Sequence, residues 1–108
     1  MDRVGQLNEL LREHCCVISV GIEFQAFKYD LTLKMSADES DLDTVTILFQ
    51  DVSVLQLNGF GGGLTQFMDL KVTRINDGLD RVRYELRDIG DEKISFSFFT
   101  FSGPIIEE

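Results

Sequence analysis

Apolar and polar residues alternate along most of this chain, and the period of the alternation changes once. Val4, Leu7, Leu10, Leu11 and His14 recur at intervals of three and four, which predicts a short amphipathic helix. Asp2 suits its N-cap and the positive end of its dipole, while Gly5 weakens the first turn. At Cys15 the period falls to two. Ile18, Val20, Ile22 and Phe24 alternate with Val17, Ser19, Gly21 and Glu23. A link at Gln25–Ala26 suits a tight hairpin. Beyond it, Phe27, Tyr29, Leu31, Leu33 and Met35 alternate with Lys28, Asp30, Thr32 and Lys34, as in a half-exposed strand.

After a polar, acidic loop over Ser36–Asp43, Val45, Ile47 and Phe49 face inward on a strand that continues through Val52–Leu57 past a bulge near Gln50–Asp51. Asn58-Gly59-Phe60-Gly61-Gly62-Gly63 reads as a flexible loop. Leu64–Ile75 is mostly extended, with Leu70 and Val72 inward and room for a helical turn near Leu64–Met68. Asn76-Asp77-Gly78 is a strong turn signal. Val82, Tyr84 and Leu86 then face inward, opposed by Arg81, Arg83, Glu85 and Arg87. In the last strand, Lys93–Phe101, Ile94, Phe96 and Phe98 share one face and Phe99 and Phe101 the other. That pattern fits a central strand, a strand covered on both faces, or a bulge at Phe98–Phe99. The sole proline, Pro104, follows the last strand, where it breaks no ladder. One helix followed by about seven short strands predicts a mainly β, α+β domain over residues 1–108, built as an antiparallel sandwich or strongly curved sheet.

Composition fits one soluble domain of 108 residues, with 44% hydrophobic and 27% charged residues. No apolar run approaches the roughly 20 residues that span a bilayer. Charge changes the picture more. There are 19 acids and 10 bases, for a formal charge of −9. Residues 37–58 contain Asp38, Glu39, Asp41, Asp43 and Asp51 and no base, and Lys and Arg are absent from Met35 to Leu70. Such a region repels phosphate backbones and anionic bilayers, so neither nucleic acid nor membrane is an expected partner. It attracts and steers a basic protein, or it serves only to keep the chain soluble.

Candidate chemistry is sparse. Cys15 and Cys16 are adjacent, so a disulfide between them would be strained and would staple nothing distant. They fit small buried residues of a reducing compartment, and no secretory signal opens the chain; a cytoplasmic location is expected. His14 is the only histidine, and no Ser–His–acid set can be assembled around it from sequence. The glycine loop lacks the Gly-Lys-Ser/Thr of a Walker loop and the spacing of a dinucleotide loop. The run Asp38–Asp43 lacks the glycine of a calcium loop. No cofactor, metal or catalytic residue is assigned. Arg81, Arg83 and Arg87 form a basic ladder whose simplest account is cross-strand pairing with neighbours such as Asp69. Phe60 folds back on the core or meets a partner.

The run Val45-Thr46-Ile47-Leu48-Phe49-Gln50-Asp51-Val52-Ser53-Val54-Leu55-Gln56-Leu57 precedes a glycine-bearing loop. Tyr84-Glu85-Leu86-Arg87-Asp88 and Ile94-Ser95-Phe96 follow. Over residues 44–101 the chain resembles a group of small bacterial proteins of unknown function, some of them immunity proteins beside polymorphic toxins. The resemblance implies a cytoplasmic, non-enzymatic protein that binds a toxin domain. The expected function is therefore a non-catalytic protein-binding module. Its candidate contact residues are Asp38, Glu39, Asp41, Asp43, Asp51, Phe60 and Asp69. Two alternatives stay open. One is a barrel-like binder of a small apolar ligand, motivated by Phe27, Tyr29, Phe96 and Phe98. The other is an uncharacterised structural or oligomeric protein. The doubly apolar last strand prompts a homodimer if it lies at an edge.

Overall fold

The computed structural model describes residues 2–38, 43–63, 65–67, 69–75 and 83–103. Its elements are α1 (Arg3–Glu13), β1 (Cys16–Gln25), β2 (Lys28–Ser36), β3 (Thr44–Leu57), β4 (Leu70–Ile75), β5 (Arg83–Asp88), β6 (Ile94–Phe98) and β7 (Thr100–Ser102). All strand pairings are antiparallel. The sheet is open, in the order β1-β2-β3-β6-β5-β4, and β7 also pairs with β3. The turn signal at Asn76-Asp77-Gly78, the residues Arg81 and Val82, and Pro104 lie outside the described residues.

The helix begins where its capping chemistry places it. Asp2 accepts a hydrogen bond from the Gly5 amide at 2.7 Å. Leu7 and Leu11, one turn apart, are buried in the core, and His14 closes the helix. The Asn8 side chain meets β4, an edge strand, as another strand would. Its Nδ2 donates to the Val72 carbonyl at 2.9 Å, and its Oδ1 accepts from the Val72 amide at 2.6 Å. Two ladder groups that an edge leaves open are thus satisfied by a side chain. Asn8→Ala is expected to lower stability by about 1–2 kcal/mol, seen as an earlier urea midpoint by circular dichroism.

β3 is long because it serves two leaves of the sheet. Its first half pairs with β2 and β7, its second with β6. The bend between them lies at the expected bulge. Asp51 and Val54 take positive φ angles of 58° and 57°. The Asp51 amide, turned out of the ladder, donates to Asp30 Oδ1 at 3.1 Å. The Gln50 carbonyl accepts from the Phe99 amide at 3.0 Å. Phe99 itself interrupts the last strand, separating β6 from β7, so the two bends coincide. The break resolves the apolar run Phe96–Phe101: Phe96, Phe98 and Phe101 are buried, while Phe99 is 41% exposed. Phe49 meets Phe96 edge-on at 5.0 Å and Phe98 at 4.8 Å, at the centre of the core.

Several expectations change. Phe27 does not begin an inward-facing strand; it occupies the turn with Ala26, both at positive φ, and is fully exposed. A two-residue hairpin turn with this twist requires that backbone, whatever side chains occupy it. The β6 part of the last strand offers no edge to a second copy, because it lies between β3 and β5, while β7 pairs, among the described residues, with β3 alone. Of the described arginines, neither Arg83 nor Arg87 lies opposite Asp69 in the register. Lys71 lies opposite Arg87, a like charge, while Arg83 reaches Asp51 at 3.7 Å.

Candidate functional site

The acids are positioned by the ends of the strands that carry them. Ser36 ends β2, and its hydroxyl donates to the Asp38 carbonyl at 2.5 Å. The Ala37 amide donates to the Asp43 carbonyl at 2.9 Å, closing the acidic loop at its base. From there the Asp43 carboxylate reaches the buried His14, with Oδ1 3.2 Å from Nε2. The other ring nitrogen of His14 lies 2.8 Å from the Leu10 carbonyl, which also accepts the His14 amide. A carbonyl only accepts, so Nδ1 carries a proton, and Nε2 donates to Asp43 when the ring is cationic. Asp43 thus tethers the acidic loop to the helix end while its side chain stays 73% exposed.

Asp69 reaches the same neighbourhood from another direction. The segment 65–67 runs beside the start of β1: the Val17 amide donates to the Thr65 carbonyl at 2.9 Å, and the Phe67 amide to the Cys15 carbonyl at 3.0 Å. Asp69 follows and lines a recess of about 130 Å³ with Asn8, Arg12, Cys15 and Lys71. Asp43 thus stands at His14 and Asp69 at the recess beside Cys15, and Asp38 is exposed on the loop that Asp43 closes. Glu39 and Asp41 lie outside the described residues.

Asp51 and Phe60 are placed elsewhere. Asp51 sits in the β3 bulge, seven residues beyond Thr44 and therefore roughly 23 Å along the strand. There the Arg83 guanidinium lies 3.7 Å from its carboxylate and donates to its carbonyl at 2.7 Å. Phe60 packs against the core, with its ring 6.0 Å from that of Phe67.

The four aromatic residues that motivated an apolar ligand are dispersed, and only Phe96 among them lines a groove across β5 and β6. Phe96 and Phe98 fill the core, Tyr29 is half-buried, and Phe27 is in the turn. The groove measures about 300 Å³, but its lining is largely polar, with Gln56, Glu85, Arg87, Glu92, Ser95 and Ser97. Both cysteines are free thiols, Cys16 buried and Cys15 half-buried. Among the described residues, no three His, Cys, Asp or Glu side chains gather as a metal site would require, and no helix is long and apolar enough to cross a membrane.

One buried carboxylate escaped the sequence reasoning. Asp88 is fully buried, accepting the Asp69 amide on Oδ1 at 3.1 Å and the Lys93 amide on Oδ2 at 3.2 Å. The signal was strand parity, which puts it on the face of Tyr84 and Leu86. Its partners are backbone groups, so its work is structural.

Comparison with known proteins finds no family model, curated protein or solved structure that matches this chain.

Proposed function

We propose that this chain is a non-catalytic module that binds a basic protein through the acidic end of the sheet. The observation that carries the proposal is the acidic loop held at its base beside the end of α1, with Asp38 exposed and Asp43 at His14, in a sequence stretch without Lys or Arg. Asp69 lies at a recess near the same helix end, where Arg12 and Lys71 also stand. His14 supports the non-catalytic part, because both its ring nitrogens engage groups that hold the helix end in place. In its most specific form the partner is a basic toxin domain, the role that the resemblance to immunity proteins implies.

Exposed acids act mainly on encounter, accelerating association with a basic surface and losing that advantage as salt screens them. The test is association with the product of the neighbouring gene at low and high salt. Asp38→Asn, Asp43→Asn and Asp69→Asn together are expected to slow association at low salt by about tenfold or more. They are expected to change it little at high salt. Tight binding with an unchanged association rate in the triple variant would eliminate this surface.

A further inference from the structure

The β1–β2 hairpin outruns the body of the protein. Residues 21–28 are all exposed, yet the face they present is not polar. Val20, Ile22 and Phe24 lie opposite Leu33, Leu31 and Tyr29 in the register. Leu31 and Leu33 are buried in the core, so the same inner face continues past the core's limit. Beyond that limit Ile22 is 45% exposed and Phe24 is 72% exposed, with the Tyr29 ring tilted beside it at 5.2 Å. Phe27, at the tip, is held at φ 69° with its ring in solvent. Left-handed backbone is costly for such a residue, and no core contact repays it.

β1 is also an edge strand. The segment 65–67 covers its first residues, through the Cys16–Gln66 bridge and the Val17–Thr65 hydrogen bond. From Ser19 to Gln25, no strand among the described residues lies on its outer side. Over this stretch its protections are few: no proline and no lysine, one charge at Glu23, and a bulge only at its start, between Val17 and Ser19.

We infer that the Ser19–Gln25 edge pairs antiparallel with the same edge of a second copy, about a two-fold axis at Ile22. Three observations select a second copy as the occupant. The free stretch is centred on Ile22, so this register uses all of it and pairs Phe24 with Val20 of the other copy and Ile22 with itself. The same register sets Glu23 opposite Gly21, beside which there is open space, so the two carboxylates do not oppose each other. Residues 15–35 carry Glu23 and Asp30 against Lys28 and Lys34, a neutral stretch in a chain of net charge −9. Two copies therefore approach here without the repulsion that the acidic end, at the opposite end of the hairpin, would impose.

Ile22 and Phe24 are exposed and lie within the paired stretch, so contact with Ile22 and Val20 of the other copy removes apolar surface from water, while Phe27 lies beyond it. The inference stands apart from the acidic surface, and salt separates the two. Screening weakens attraction to a basic partner, whereas it leaves this apolar pairing unchanged or tightens it.

The test is the mass of the full chain by sedimentation equilibrium across micromolar concentrations. A dimer is expected, with Phe24→Lys raising its dissociation constant by about tenfold or more. Circular dichroism checks that this variant keeps its fold. Position is read by disulfide trapping in a Cys15→Ser background. Ile22→Cys faces itself across the axis and is expected to cross-link on oxidation, whereas Glu23→Cys faces Gly21 and is not. A monomer at all concentrations, a dimer undiminished by Phe24→Lys, or equal cross-linking at both positions would overturn the inference.

Discussion

Phe49→Ala is expected to lower the free energy of unfolding by about 3–5 kcal/mol. Phe49 is fully buried and meets two other buried rings, Phe96 and Phe98, edge-on. These come from β6, the strand paired with the second half of β3, while Phe49 belongs to the first half. The ring thus sits where the two leaves meet, and truncation leaves a cavity lined by stiff aromatic neighbours that cannot collapse into it. Against a typical total of about 5–15 kcal/mol, such a loss brings the chain close to unfolding at ambient temperature. Urea denaturation followed by far-ultraviolet circular dichroism measures it. Phe99→Ala is the matched control. Its ring is 41% exposed, so its loss is expected to stay below about 1 kcal/mol. Equal losses at the two positions would contradict the inward placement of Phe49 and the outward placement of Phe99.

The second large effect is expected at Asp88. Its two carboxylate oxygens accept separate backbone amides, those of Asp69 and Lys93, and its own carbonyl accepts the Glu92 amide at 3.0 Å. One buried side chain therefore joins the entry to β4 with the turn between β5 and β6. Asp88→Ala leaves two amides without acceptors and is expected to cost about 2–4 kcal/mol. Asp88→Asn separates hydrogen bonding from packing, since it keeps the shape and replaces one accepting oxygen with a donor. A loss of about 1–2 kcal/mol is expected there, with faster hydrogen exchange at the Asp69 or Lys93 amide. An Asn variant as stable as the parent would show that the carboxylate is not needed as a double acceptor.

Elements with a clean period were legible in advance. The α1 stripe, the inward set Val45, Ile47 and Phe49, the pair Leu70 and Val72, and the bulge near Gln50–Asp51 all appear in the structure. What misled was a parity that continues through a turn. Phe27 has the right spacing for the inner face, but the hairpin turn occupies its position, and alternation alone does not say where a strand stops. The candidate surface was legible only as composition. Charge counting found Asp38, Asp43 and Asp69, and it equally found Asp51, whose pairing with Arg83 depends on a contact 32 residues away in sequence.

By itself, then, the sequence determined the elements, the faces they bury and the uneven charge, because periodicity and composition are local properties of the chain. Tertiary structure decided the strand order, which places β6 inside the sheet and leaves β1 at its edge. It also decided which acids stand near the helix end, which acid is buried as a double acceptor, and which aromatic residues overhang the core. These outcomes depend on pairings between distant segments. The chain pattern does not encode those pairings singly, because any two strands of matching amphipathicity satisfy the same alternation.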